Sequence, residues 1–309
     1  MNYAREINEK FPIRKKDEQK TAFLDYAVAE AEKMGYAVRM EAVKKNRNLI
    51  VGDPDTARVI YTAHYDTPVQ MFFPNFITPR NLLIYILYNI LIVSCIFAVA
   101  FLAGWLAKAV LHIESSMMLY WIGWAVYMAV FFLMLMGPAN KHNANDNTSG
   151  VATLLSIMEK LPESARKHTA FIFFDNEEAG MKGSGKFASA HKQTAKTAFT
   201  VNFDCVGDGK DLFVIAKKAM RRHNYYPLLK ETVVSSDALT VAHLSSGSCV
   251  YPSDQAHFKC GAAVCACKKL PVIGHCINRI HTKRDTVCDE GNIAFLAEKF
   301  TAFAERISE

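Results

Sequence analysis

The side chains that could do chemistry lie in five short motifs along the chain. The motifs read His64-Tyr65-Asp66, Asp146-Asn147, Glu177-Glu178, Asp204 and His281. Imidazole and carboxylate groups are ligands that suit zinc, and a hydrolytic site with two metal ions needs several of each. The residue types therefore predict a metallohydrolase.

The spacing of these residues gives each of them a predicted role. Neutral His64 and His281 can each give a ring nitrogen to one zinc ion. Asp66 follows His64 by two residues, where it could accept the other ring N–H and fix the tautomer. Asp146 stands at the start of a predicted helix, where its carboxylate could bridge two cations about 3.5–4 Å apart.

The remaining acidic residues complete the predicted site. Glu178 and Asp204 would then bind one zinc ion each. Glu177 must point away from Glu178, because neighbouring side chains diverge, and it is therefore available as the general base. It would take a proton from a metal-activated water and pass it to the leaving amine.

Apolar runs place these motifs on the elements of an α/β fold. Three strand-like runs, 59–61, 171–174 and 199–201, each precede a motif. In open α/β sheets the active site forms at the carboxyl ends of the strands. Helical periodicity over 17–34 and 292–307, with further helices after Gly150 and Gly183, alternates with the strands and predicts an α/β fold.

A long apolar insertion interrupts this pattern. Residues 81–107 and 115–140 contain no charged side chain, and a membrane-crossing helix needs about 20 mostly apolar residues. Aromatic side chains flank the connection between the two runs, as interfacial aromatics do; they are Trp105, Tyr120, Trp121 and Trp124. We predict a transmembrane hairpin over 81–136, with helices at about 82–105 and 117–136. The alternative is a pair of buried core helices or a hydrophobic lid.

The insertion divides the predicted catalytic domain into two segments, 1–80 and 137–309. A hairpin returns the chain to its starting side, so both segments share one compartment. The first twenty residues lack the apolar stretch of a signal peptide. Two basic residues, Arg80 and Lys141, lie at the catalytic end of the hairpin, and one, Lys108, lies in its loop. We expect a cytoplasmic catalytic domain, in which the eight cysteines are buried reduced thiols.

The charge pattern argues against a nucleic-acid partner. The net charge is +6, and the basic runs Arg14-Lys15-Lys16 and Lys217-Lys218 lack interleaved aromatic residues. Basic residues that face anionic lipid headgroups are the more natural interpretation.

Six sequence blocks together resemble the co-catalytic zinc aminopeptidases, a group related to glutamate carboxypeptidase and glutaminyl cyclase. The blocks are TAHYDT (62–67), NDNTSG (145–150), FFDNEEAGMKGS (173–184), NFDCVG (202–207), SDQAHF (253–258) and IHTKRDT (280–286). The resemblance covers roughly 1–75 and 140–309. It implies a mixed, mostly parallel sheet with helices on both faces and two zinc ions.

The same resemblance implies a distribution of the ligands between the two zinc ions. His64 and Asp204 would bind one ion, Glu178 and His281 the other, Asp146 would bridge them, and Glu177 would be the base. One departure concerns the usual Asp-His after Ser253, which reads Asp254-Gln255 here. Gln255 stands where the family has histidine, and His257 lies two residues further along.

Three hypotheses about function follow. The favoured one is a membrane-anchored aminopeptidase that acts on membrane-proximal or hydrophobic peptides, because the insertion leaves the chain close to the metal site. The second is carboxypeptidase-like or glutaminyl-cyclase-like chemistry, and the third is a non-catalytic membrane receptor that keeps the fold. The expected partners are a peptide substrate and the lipid bilayer. The helices could also pair with copies in other chains, although no small-xxx-small pattern argues for it.

Overall fold

A computed structural model describes residues 2–309 of the chain, and its centre is a nine-stranded mixed sheet. The strands are β1 (Val38–Val43), β2 (Asn46–Val51), β3 (Val59–His64), β4 (Thr169–Phe174), β5 (Phe199–Phe203), β6 (Asp211–Ala216), β7 (Thr240–Ser245), β8 (Gly261–Leu270) and β9 (Gly274–Cys276). Their order is β1-β2-β4-β3-β5-β8-β6-β7, and β9 pairs with β8.

The four neighbouring strands β4, β3, β5 and β8 are parallel. Their carboxyl ends therefore meet at one edge of the sheet, which we call the carboxyl edge. The flanking pairs β1–β2, β2–β4, β6–β8 and β8–β9 are antiparallel, and β7 runs parallel to β6. The first three strands precede the apolar insertion and the other six follow it, so both segments of the chain contribute to one sheet.

Within residues 2–309, ten α-helices surround or leave the sheet. They are α1 (Tyr3–Lys10), α2 (Asp17–Lys33), α3 (Leu82–Leu111), α4 (Ser116–Met136), α5 (Gly150–Lys160), α6 (Glu163–Arg166), α7 (Lys182–Ala190), α8 (Lys192–Thr197), α9 (Tyr226–Thr232) and α10 (Glu290–Ser308).

Alternating side chains of the central strands bury both faces of the sheet. On one face, Tyr61, Phe171 and Phe203 pack in a core shared with α1, α2, α5, α9 and α10. On the other face, Ile60 and Ile172 pack with residues of α7 and α8. Strands buried on both faces read as continuous apolar runs, which is why 59–61 and 171–174 were recognisable. The predicted mixed α/β fold with helices on both faces is confirmed.

Helices α3 and α4 form a hairpin that stands apart from both cores. No residue of α4 is buried, and in α3 only Ile96, Ala100 and Ala107 are. Both helices are long and apolar enough to cross a membrane. Helix α3 continues beyond the predicted 105 to Leu111 and ends at His112, which adopts a left-handed conformation with φ 53°.

The two chain segments that enter and leave the hairpin are joined at a neck, residues 68–70 and 138–140. The Gln70 N–H donates to the Pro138 carbonyl over 2.8 Å, and the Asn140 N–H donates to the Pro68 carbonyl over 2.8 Å. Val69 and Ala139 form an antiparallel bridge between them. The insertion is therefore closed at its base, next to the carboxyl edge of the sheet.

Candidate metal centre

The structure brings the five predicted ligands together at the carboxyl edge. His64 is the last residue of β3, and Asp204 directly follows β5. Glu178 lies on the turn after β4, Asp146 lies in the irregular helical turn Ala144–Ser149, and His281 lies on the segment after β9. Parallel strands that end side by side thus deliver residues that are far apart in the sequence to one place.

Asp146 stands between two groups of potential ligand atoms. Its Oδ1 lies 3.3 Å from His64 Nε2, which is also 3.8 Å from Asp204 Oδ1. Its Oδ2 lies 3.2 Å from His281 Nε2, which is also 3.3 Å from Glu178 Oε2. Within each group all ligand atoms are within 4.8 Å of one another. Asp146 is the member that the two groups share, and it presents one oxygen to each.

Asp66 holds the turn that contains both glutamates. Its Oδ1 accepts the backbone N–H of Glu177 over 3.0 Å, and its Oδ2 accepts that of Glu178 over 3.2 Å. Asp66 Oδ1 also faces His64 Nδ1, but at 3.5 Å the contact exceeds the usual N–H···O range. The main-chain hydrogen bonds to the glutamate turn were not predicted from the sequence. They make Asp66 a positioning residue for Glu177 and Glu178.

Further polar residues fix the ligands themselves. Asp285 accepts the backbone N–H groups of Asn145 (2.8 Å) and Asp146 (3.1 Å), one with each carboxylate oxygen. The Ser253 hydroxyl donates to Asp204 Oδ2 over 2.5 Å, and the Tyr251 hydroxyl donates to the Asp204 carbonyl over 2.9 Å. Buried carboxylates that accept such bonds keep one orientation.

Strained backbone also gathers around the ligands. Asn176 precedes the two glutamates with φ 55°, Cys205 follows Asp204 with φ 55°, and His281 itself has φ 62°. Non-glycine residues rarely adopt positive φ, and such residues cluster at functional sites. A glycine allows a close approach of two elements beside the ligands. A Cβ on Gly150 would lie 2.3 Å from the Phe203 carbonyl oxygen, so only glycine lets α5 begin against the end of β5.

The loop that departs from the family pattern adds a buried acid and no further imidazole ligand. Asp254 is fully buried; its Oδ1 accepts the Ser184 hydroxyl over 2.5 Å, and its Oδ2 has no partner. Burial raises the pKa of Asp254 to about 7. His257 places Nδ1 2.9 Å from the same Ser184 hydroxyl, and it is in neither ligand group.

Arg14 corrects the interpretation of the first basic run as a lipid-facing surface. Its side chain is fully buried behind the site, and burial lowers its pKa to about 10. The guanidinium donates to four acceptors, which are the carbonyls of Tyr65 (2.5 Å) and Phe11 (2.8 Å) and the side chains of Asn143 (3.1 Å) and Thr148 (3.0 Å). A basic run gives no sequence signal that one member is internal. Arg14 places a fixed positive charge beneath Asp66 and Asp146.

The arrangement fits divalent cations. Glu178 Oε1 is buried without a hydrogen-bond partner, although such atoms are normally satisfied. Burial, reinforced by Asp146 and Glu177, raises the pKa of Glu178 well above its ordinary value. Burial lowers the pKa of His64, but the adjacent carboxylates of Asp146 and Asp204 outweigh it and leave that pKa well above normal. Crowded carboxylates around imidazole are costly without cations, and this donor set is one that zinc accepts.

Known structures share the fold of this chain. The crystal structure of Porphyromonas gingivalis glutaminyl cyclase has a TM-score of 0.58 at 14% identity, and the match covers 99% of this chain and 96% of that chain. Legionella pneumophila LapA aminopeptidase has a TM-score of 0.56 at 14% identity, covering 99% of this chain and 68% of that one. A leucine aminopeptidase precursor from Bacteroides thetaiotaomicron has a TM-score of 0.55 at 15% identity, covering 97% and 93%.

The sequence itself matches a family description. No curated protein sequence matches the chain significantly. The model of peptidase family M28, however, matches residues 129–298, more than half of the chain. This stretch contains Asp146, Glu177, Glu178, Asp204 and His281, while His64 and Asp66 precede it and join the cluster through the fold. The chain belongs to peptidase family M28.

Proposed function

We propose that this M28 peptidase is a membrane-anchored zinc aminopeptidase that removes N-terminal residues from membrane-proximal or hydrophobic peptides. The observation that carries the proposal is the position of Asp146, whose two oxygens face two separate groups of one histidine and one acid. A shared carboxylate of this kind is what a pair of metal ions requires. We therefore assign two zinc ions, one to His64 and Asp204 and one to Glu178 and His281.

The residues of the chain supply positioning and proton transfer. Bound zinc ions would lower the pKa of a coordinated water and polarise the substrate carbonyl. The two glutamates do not diverge as predicted: a carboxylate oxygen of each lies within 4.8 Å of the other and of a ring nitrogen of His64. Asp66 fixes the backbone N–H of Glu177. We assign Glu177 the role of general base, which accepts the proton of the attacking water and delivers it to the leaving nitrogen. Asp66 acts through Glu177 and Glu178, whose backbone N–H groups it accepts.

The route of the chain supports a site that opens towards the membrane. The Met71 N–H donates to the His281 carbonyl over 2.7 Å, so the segment that leads to α3 runs beside a proposed ligand. The next residue, Phe72, is 95% exposed. An exposed aromatic ring beside the site could bind an apolar peptide. We place the catalytic domain on the cytoplasmic side, because Arg80 and Lys141 flank the hairpin.

Metal content and peptide specificity test the enzymatic part of the proposal. The wild-type chain should bind two zinc ions and release N-terminal residues from free peptides, but not from N-acetylated ones. Glu177→Gln should keep both ions and lose activity about 10²–10⁴-fold, the usual contribution of a general base. Glu163→Gln changes an exposed glutamate on α6 and should behave as wild type. One bound ion, with cyclisation of an N-terminal glutaminyl peptide, would instead identify a cyclase.

Replacement of 81–136 by a short Gly-Ser linker tests the membrane part. The neck pairs Val69 with Ala139, so the replacement removes only chain that lies outside this closed base. Hydrolysis of a hydrophobic, vesicle-bound peptide should fall, while hydrolysis of a hydrophilic soluble peptide should persist. Equal loss for both peptides, or no loss for either, contradicts membrane presentation.

A further inference from the structure

The turn between β8 and β9 is an apolar tip with an unfavourable backbone. Its residues are Leu270, Pro271, Val272 and Ile273. Val272 is 98% exposed and has a φ of 66°. A β-branched residue at positive φ is an outlier, and glycine or asparagine would fold more easily there. An exposed valine that works against folding calls for an explanation in function.

The tip extends beyond the carboxyl edge, on the side of the metal centre. Val264 of β8 pairs with Phe203, the residue before Asp204. Strand β8 then continues to Leu270, which is six residues further and corresponds to about 20 Å of extended chain. The tip therefore projects past the level of the proposed ligands.

One side chain connects the tip to the start of the first apolar helix. The Asn81 side-chain amide donates to the Ile273 carbonyl over 3.1 Å. The Asn81 Oδ1 accepts the Ile84 N–H over 3.1 Å and so caps the amino end of α3. The tip and the entry of α3 are thus held at the same level.

Exposed cations surround the tip. Lys269 directly precedes it and Arg80 directly precedes Asn81, and both side chains are exposed. Neither forms an ion pair with another residue in the described part of the chain, whereas the neighbouring Lys268 pairs with Asp208 at 2.6 Å. Unpaired lysine and arginine beside apolar side chains are a pattern that suits anionic lipid headgroups.

We propose that residues 270–273 insert into the interfacial layer of the bilayer that holds α3 and α4, as a third point of membrane contact. The proposal rests on the proposed membrane anchoring, and the occupant of this surface is lipid. The charge pattern and the contact with the capped end of α3 favour lipid over a protein partner.

A third contact fixes the orientation of the site. Beyond the tip, Ile277 pairs with Ile77 of the segment that leads to α3, and the chain then reaches His281. Two neighbouring segments of the chain thus run from the proposed membrane surface to the metal centre. A hairpin alone would allow the catalytic domain to tilt, whereas an inserted tip holds the carboxyl edge with its metal centre towards the bilayer.

Spin-label accessibility in vesicles that contain anionic lipid tests the proposal. In the 309-residue chain with Cys95, Cys249 and Cys288 replaced by alanine, the five remaining cysteines are buried. One accessible cysteine is then placed at position 95, 272 or 164, and the variant without it gives the background labelling. Cys95 lies within α3 and reports on the hairpin, Val272→Cys reports on the tip, and Ser164→Cys is an exposed control on α6, before β4. Collisions with oxygen should be frequent and collisions with a water-soluble nickel chelate rare at 95 and 272, and the reverse at 164.

The other outcomes distinguish failure of the tip proposal from failure of the proposed membrane anchor. A lipid-exposed label at 95 with a water-exposed label at 272 overturns the tip proposal and leaves the anchor in place. Water exposure at 95 contradicts the membrane anchor itself. A label at 272 that neither reagent reaches means that a second copy of the chain covers the tip, which also overturns the proposal.

A substitution that relieves the backbone gives an independent test. Val272→Gly should leave the unfolding temperature unchanged or raised, since glycine tolerates positive φ. Hydrolysis of a vesicle-anchored peptide should fall by up to about tenfold, the factor for loss of one buried valine-sized side chain, while hydrolysis of a soluble peptide stays constant. Unchanged hydrolysis of both peptides would count against the tip.

Discussion

The substitution Asp66→Asn tests whether the carboxylate that holds the glutamate turn supports the chemistry. Asp66 accepts two backbone N–H groups, at 3.0 Å from Glu177 and 3.2 Å from Glu178. Asparagine offers one acceptor oxygen and one NH₂ group, so one of the two N–H groups must lose its partner. The turn should remain in place but with less constraint on both glutamates.

The size of the effect follows from that lost bond. A hydrogen bond to a charged acceptor contributes about 1.5–3 kcal/mol, and about 1.4 kcal/mol corresponds to a factor of ten. We therefore expect kcat/KM to fall about 10–100-fold. The fall should include weaker zinc binding, because residues that orient metal ligands affect affinity by a similar factor.

The assay compares kcat/KM, zinc affinity and unfolding temperature for wild type, Asp66→Asn and Asp289→Asn. Asp289 is a matched control, because its carboxylate also accepts a backbone N–H (Gly291, 2.8 Å) and it caps α10 outside both ligand groups. The control should retain wild-type activity. Activity of Asp66→Asn within about threefold of wild type, well under the loss expected for a charged hydrogen bond, would refute the positioning role.

Three further predictions concern stability and metal removal. Arg14→Met should lower the free energy of unfolding by about 3–5 kcal/mol, because a buried hydrogen-bond network loses its donor. The control Arg39→Met, at an exposed arginine, should change it by less than about 0.5 kcal/mol in denaturant titrations. Equal effects of the two substitutions would contradict an internal role for Arg14. After chelation the chain should lose stability as pH rises from 3.8, the ordinary pKa of Asp254, to about 7, its pKa in the folded chain. The reason is that folded Asp254 holds a proton that the unfolded chain has released. Asp254→Asn should flatten the dependence of the unfolding temperature on pH over this window, and an unchanged dependence would contradict the prediction. Tyr61→Phe removes the 2.7 Å bond to the Phe300 carbonyl and should cost about 1–3 kcal/mol for the acceptor left unpaired, with kcat/KM unchanged; a change in kcat/KM would contradict a purely structural role.

The sequence predicted the fold class and the elements that lead to the site because both leave strong patterns. Strands β3, β4 and β5 are apolar on both faces and read as continuous runs. Helix α2 ends at Lys33, and Gly35 follows its cap residue with φ 83°. Strand β8 was not predicted, since its sequence GAAVCAC is rich in alanine and glycine, which have low β propensity. It forms a strand because β5 and β6 pair with it on both sides, which is tertiary information.

The candidate site shows the same division. The five ligand candidates and Glu177 were selectable by residue type, and His64, the two glutamates and Asp204 also by their place after strands. Their roles remain predictions. The two bonds from Asp66 to the glutamate turn depend on how two loops meet, and they are invisible in either loop alone. Arg14 was assigned to the surface because lysine neighbours make the run look solvated, although all its side-chain acceptors except the Phe11 carbonyl lie more than 50 residues away.

The neck explains how a hairpin can be inserted beside a metal centre without disturbing it. Closing a loop costs little more as the loop grows, provided that its ends are fixed, and the two 2.8 Å bonds between 68–70 and 138–140 fix them. The Asn140 side chain then donates to the Thr282 carbonyl over 2.9 Å, next to His281. On the other side, Asn143 and Thr148 bond to Arg14 and flank Asp146. The insertion therefore ends on residues that are already held by the site, so the spacing between Asp146 and His281 depends on the neck and on Arg14 rather than on the length of the apolar helices.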